Sequence, residues 1–124
     1  MPVRGIRGAT TASGNTRDAI LTATRELFTA LIAANDFQEA DVASVLITVT
    51  PDLDAVFPAR AVRELGWTQT ALLDAQAPRV AGDLPRCIRV LLHWNTARAQ
   101  NEIHHVYLHE ATLLRPDRAK GVSQ

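Results

Sequence analysis

A chain of 124 residues, 47% hydrophobic, with thirteen basic and thirteen acidic residues and a formal net charge of zero, is sized for one domain with a modest core and has no global basic field to draw it to nucleic acid. No run approaches the roughly eighteen consecutive apolar residues that a bilayer crossing needs, and no charged-then-apolar leader opens the chain, so a cytoplasmic protein without membrane contact is expected. Cys87 is the only cysteine, which excludes an internal disulfide and any cysteine-based metal cluster.

From Val3 to Thr10 the β-leaning run VRGIRGAT predicts a strand, ended by the Ser, Gly and Asn of the loop that follows. Thr16 then caps a helix whose apolar residues Ile20, Leu21, Thr24, Leu27, Phe28, Leu31 and Ile32 recur at helical spacing up to about Asn35, the expected C-cap. VASVLITVT, Val42 to Thr50, is rich in β-branched residues and stops at Pro51, the pattern of a mostly buried strand. Phe57-Pro58 followed by ARAVREL and Gly66 predicts a short helix with the usual punctuation at both ends. A strand is expected over Thr70 to Ala75, and Pro78 and Gly82-Asp83 mark a loop before the strand CIRVLLHWN. HVYLHEATLL is expected to supply the last strand, and residues 118–124 a flexible polar tail.

The order β-α-β-α-β-β-β predicts an α+β domain over residues 1–117, one mixed β-sheet with both helices packed on one face. The bare opposite face calls for oligomerisation.

The basic residues are twelve arginines and a single lysine, Lys120. A GC-rich genome produces such a skew without functional cause; anion recognition produces it too, because a guanidinium fork matches carboxylate geometry where an ammonium does not. Arg7 and Arg89 sharpen the choice, since each sits inside an apolar strand-like segment, GIRG and CIRV. A guanidinium there needs either an internal carboxylate or a ligand that brings one.

RGIRGATT, TPDLDAVFPARAVRELGW, RCIRVL and HVYLHEATLLRPD, in colinear order from about Val3 to Asp117, together resemble the trimeric, non-helical AroH class of monofunctional chorismate mutase. The resemblance implies a pseudo-α/β-barrel homotrimer with active sites between subunits, and a Claisen rearrangement of chorismate, a dianion, to prephenate on the route to phenylalanine and tyrosine. It also implies roles. Arg7 looks like the arginine that holds a substrate carboxylate, Arg89 like the cation against the ether oxygen of the breaking bond, and Tyr107 like the tyrosine bonded to the side-chain carboxylate. From the neighbouring subunit, Phe57 would form an apolar wall and Arg63 would lie near the cleft mouth, while Arg60 stands at a substrate-binding position that is usually basic in the family. Leu114 and Arg115 resemble the segment that closes over ligand, and Leu73, Asp74, Ala75, Gln76 and Ala77 the segment lining the cleft.

A pericyclic rearrangement needs neither nucleophile nor general base, and no metal or cofactor is expected. The chain has no Gly-rich phosphate loop, no HExxH and no GxSxG. His105 and His109 on one strand would stand roughly 13 Å apart, too far to chelate one ion. Trp67 and Trp94 are expected to be packing residues, and Asp52 and Asp54 a turn signal.

One departure from the family pattern stands out. Where the family carries a Glu that accepts the ring hydroxyl and partners the arginines, this chain has Ala77, with a one-residue gap near Gly66-Trp67 in the comparison; three residues earlier stands Asp74. Asp74 is therefore expected to take over that role beside Arg89. The alternative is a non-catalytic, dianion-binding or regulatory trimer on the same scaffold.

Overall fold

The computed structural model describes residues 1–115, so the expected tail at 118–124 lies outside the described residues. Five strands and two helices follow in the expected order: β1 (Val3–Thr11), α1 (Arg17–Asn35), β2 (Val42–Val49), α2 (Ala59–Glu64), β3 (Ala71–Gln76), β4 (Cys87–Asn95) and β5 (Val106–Tyr107). They form one mixed sheet in the order β3-β2-β4-β1-β5. β4 runs antiparallel to both β1 and β2, while β3 and β5 add parallel strands at the edges.

α1 starts where Thr16 Oγ1 accepts a hydrogen bond from the Ala19 N–H at 3.1 Å. Its stripe of Ile20, Leu27, Phe28 and Leu31 is fully buried against Ile6, Val45, Ile47, Val90 and Leu92 of the sheet. Each such side chain contributes about 1.5–3 kcal/mol by leaving water. The close approach of α1 depends on Gly8, where an added Cβ would lie 2.9 Å from Leu31 Cδ1 and 3.3 Å from Leu27 Cδ1. Phe28, Phe37 and Trp67 stack edge to face at centroid distances of 4.9–6.2 Å, and Phe37 also meets Trp94, so both tryptophans are packing residues.

Two expectations are corrected. The helix C-cap is Asp36, not Asn35: Asp36 takes the left-handed conformation at φ 60 and donates its N–H to the Ile32 carbonyl. Asn35 is buried instead, because its amide donates to the Leu31 and His104 carbonyls and accepts from the His104 N–H, which ties α1 to the approach of β5. The segment HVYLHEATLL is not one strand. After the Leu108 N–H bonds the Ala9 carbonyl, His109 takes φ 52 and His109–Leu113 coils into a 3-10 turn. The gain is burial, since Ala111 packs with Ala9 and Tyr107 in a second small core, and Leu114 lies against it.

Candidate active site

The pleat sorts the strand residues onto two faces. The register aligns Gly8, Val90, Ile47 and Asp74 in one row across β1, β4, β2 and β3. The rows on either side are Arg7, Leu91, Leu46, Leu73 and Tyr107, Ala9, Arg89, Thr48, Ala75. Alternate rows point to opposite faces. Ile47 and Val90 are buried under α1, so Arg7, Arg89 and Tyr107 share the face opposite α1. Arg4, three residues from Arg7, points the other way; its Nε donates to the Arg98 carbonyl at 3.0 Å.

Arg7 and Arg89 line one groove of about 210 Å³ with Leu46, Thr48 and Leu91. Arg7 is oriented by Nε donating to the Val90 carbonyl at 3.2 Å, and its own N–H donates to His105 Nδ1 at 2.9 Å. Among the described residues neither terminal nitrogen of Arg7 is bonded to an acceptor, which leaves the fork available to a carboxylate. Tyr107 is buried beside Ala9 in the row of Arg89.

Arg89 is occupied. Its Nη2 lies 3.0 Å from Asp83 Oδ1, with the two side chains 22% and 25% exposed. Asp83 stands in the loop joining β3 to β4, and a second, larger groove of about 500 Å³ runs past Gln76, Ala77, Asp83 and Arg89. The hydrogen bond from Arg89 is the main reason the Asp83 carboxyl is held below its usual range; the Leu84 N–H adds to it.

Asp74 does not stand beside Arg89. Its row carries it to the helix face, where its two oxygens accept the Ala59 N–H at 3.1 and 3.3 Å at the start of α2. Partial burial raises its pKa, against the lowering effects of the Ala59 N–H and of nearby Arg63. The expected exchange of Ala77 for Asp74 fails because residues 74 and 77 are an odd number apart, which inverts the face on an extended strand. Ala77 itself remains at the groove rim, its N–H bonded to the Val49 carbonyl at 2.8 Å.

Phe57, Arg60 and Arg63 form a second group around α2, which packs on α1 and on the edge strand β3. Phe57, 72% exposed, lines a hollow with Asp74, Ala75 and Gln76. Arg60 and Arg63 flank a shallow depression with Glu64, and Arg60 Nε lies 3.4 Å from Glu64 Oε2. Leu73 is 65% exposed on the open face. Leu114 closes the 3-10 turn that follows β5, and Arg115 is exposed beside it. Within the chain the structure therefore places Arg7, Arg89 and Tyr107 on one sheet face, and holds Phe57, Arg60 and Arg63 apart from them.

Sequence reasoning missed Asp83, read only as loop punctuation. A signal was present: it is the only carboxylate between Gln76 and Cys87, in the loop that feeds an apolar strand carrying an arginine. Asp52 is a second such acid, bonded to the Thr50 hydroxyl and the Arg86 N–H, where it fastens the end of β2 to the start of β4. The histidines are dispersed. His93 Nδ1 meets Ser44 Oγ, and His109 Nε2 meets Glu26 at 2.8 Å. Among the described residues no cluster fit to hold a metal occurs. Cys87 is buried, and burial pushes its thiol pKa up. A surface hollow of about 1000 Å³ between α1 and the 3-10 turn includes neither Arg7 nor Arg89.

Comparison with known proteins places these features in context. Residues 3–118 match the family described as chorismate mutase type I. The chain is 50% identical over 116 residues to chorismate mutase AroH of Thermus thermophilus, covering 93% of this chain and 95% of that protein. It is 46% identical over 118 residues to chorismate mutase AroH of Bacillus subtilis (strain 168), covering 94% and 93%. Among solved structures, a chorismate mutase from Clostridium thermocellum superposes with a TM-score of 0.86 at 47% identity, over 88% of this chain and 97% of that one.

Proposed function

The chain belongs to the chorismate mutase type I family and is a chorismate mutase, and we propose that it works by clamping chorismate between arginines of the open sheet face. In the Claisen rearrangement an ether C–O bond breaks as a C–C bond forms within one molecule, so no atom is exchanged with the protein. Two things limit the uncatalysed reaction: the flexible dianion must fold into a compact conformer, and charge must separate as the C–O bond stretches. Arg7, with its fork available, takes a carboxylate and removes conformational freedom. Arg89 presents a fixed cation to the ether oxygen as negative charge gathers there, and Tyr107, in the row of Arg89, bonds the side-chain carboxylate.

The observation that carries this reading is the juxtaposition of Arg7 and Arg89 on one groove of the uncovered face. With two arginines against the one carboxylate of Asp83, the groove keeps a net positive charge for a dianion. Three copies would complete the site. Phe57, Arg60 and Arg63 of one copy then wall the cleft of the next, and Leu114 and Arg115 close over the ligand. The exposed Phe57 and Leu73 and the bare sheet face support that assembly. The cytoplasm, where the substrate would be made and consumed, is the compartment that fits a lone buried thiol.

Loss of chorismate absorbance on adding purified protein tests the reading. Turnover is expected; binding of prephenate without turnover would favour the dianion-binding alternative, for which the absent carboxylate at Ala77 is the one argument.

A further inference from the structure

We propose that Asp83 is the residue that positions Arg89 for the rearrangement, supplied from the β3–β4 loop. This inference rests on the mutase reading above. Three observations carry it. The Arg89 Nη2 to Asp83 Oδ1 contact, at 3.0 Å, is the only ion pair among the described residues in which both side chains are less than a third exposed. The two residues line the same groove as Ala77, so the acid stands at the wall where the family's carboxylate is missing. The loop is shaped to deliver it: Gly82 takes φ 81, a conformation that a side chain would strain, and the Asp83 N–H closes the turn on the Val80 carbonyl at 3.1 Å.

An arginine has several rotatable bonds, and a fork intended for one developing charge must be immobilised beforehand. One nitrogen held by Asp83 fixes the guanidinium plane while the others remain for the substrate. The carboxylate also partly balances the charge of Arg89, which weakens its hold on the ground-state dianion more than on the transition state, where the oxygen lies closest. Asp83 thereby acts on kcat more than on binding.

The experiment compares steady-state kinetics of the full chain with Asp83→Asn, Asp83→Ser and the double variant Asp83→Ala with Ala77→Glu, alongside thermal melting. Asp83→Asn is expected to lower kcat by about 10- to 100-fold with KM unchanged or lower, and the double variant to recover most of the loss, since it returns a carboxylate to the same groove. Asp83→Ser carries the same expectation if the Asn variant does not fold. A kcat within about twofold of wild type in either variant overturns the proposal, as does a rise in KM matching the fall in kcat together with a lower melting temperature, the signature of a merely structural loop. An inactive wild-type chain would strike the mutase reading itself and this inference with it, whereas an active wild type with unaffected variants strikes this inference alone.

Discussion

Arg7 gives one nitrogen to a backbone carbonyl, while Arg89 gives one to a carboxylate. Substitution should therefore separate the two. Arg89→Lys removes a preorganised donor and the planar fork together, and is expected to lower kcat by about 100- to 1000-fold, or roughly 3–4 kcal/mol in the transition state. Arg7→Lys is expected to act first through KM, because the fork lost there grips a carboxylate present before and during the reaction. Initial rates over a range of chorismate concentrations separate the two effects. Asp74→Ala removes the acceptor for the Ala59 N–H, so its effect should reach the site through α2, which carries Arg60 and Arg63. A several-fold rise in KM is expected, corresponding to about 1 kcal/mol for the lost bond, with kcat little altered. An equal collapse of kcat would return Asp74 to the chemistry. At this scale the arginines were legible in the sequence because charge inside apolar strands demands an anion. Asp83 was not, because a loop acid has no period to reveal which side chain it will meet.

Among the elements, β1 and α1 are locked together at Gly8, where the space for a Cβ is already taken by Leu31. Gly8→Ala is expected to destabilise the fold by about 1–3 kcal/mol, the usual range for overpacking, as read by urea unfolding. Because Gly8 adjoins Arg7, a shift of β1 should also weaken activity. Helical periodicity revealed α1, and β-branched runs bounded by proline or glycine revealed β1, β2 and β4. The last strand was overread for a physical reason: HVYLHEATLL has strand-like composition, but burial of Ala111 and Leu114 against Tyr107 outweighs that local preference and bends the chain at His109. The pleat supplied what spacing alone did not, since the rows of paired residues decide that Asp74 and Arg89 face opposite ways.

For the whole molecule, one uncovered sheet face predicts assembly. Sedimentation equilibrium is expected to report a trimer, and Leu73→Arg, which plants a charge on the exposed apolar row, should dissociate it and abolish turnover together. Retained activity in a monomer would contradict a site shared between copies. Acid should loosen the fold. Asp83, bonded by Arg89, and Asp52, whose partial burial is outweighed by its bonds from Thr50 and Arg86, both have carboxyl pKa values lowered on folding, as does Glu39 through the Gln69 N–H. A folded value below the unfolded one, near 3.9 for Asp, means that the stabilisation is complete above the unfolded pKa and is lost as pH falls through the folded one. Asp74 runs the other way, its raised pKa costing stability at neutral pH and relieving that cost on acidification, but it is one group against three. The melting temperature should therefore hold steady between about pH 7 and 5 and fall below about pH 4; a rise in acid would refute the balance. Cys87, fully shielded and with its thiol pKa raised, has a practical consequence for such experiments. A maleimide reagent at neutral pH should leave the folded chain at its unlabelled mass by mass spectrometry, so a single cysteine introduced at exposed Val80, which lines the groove of Asp83 and Arg89, would accept a fluorophore alone and report on the cleft without first deleting the native sulfur.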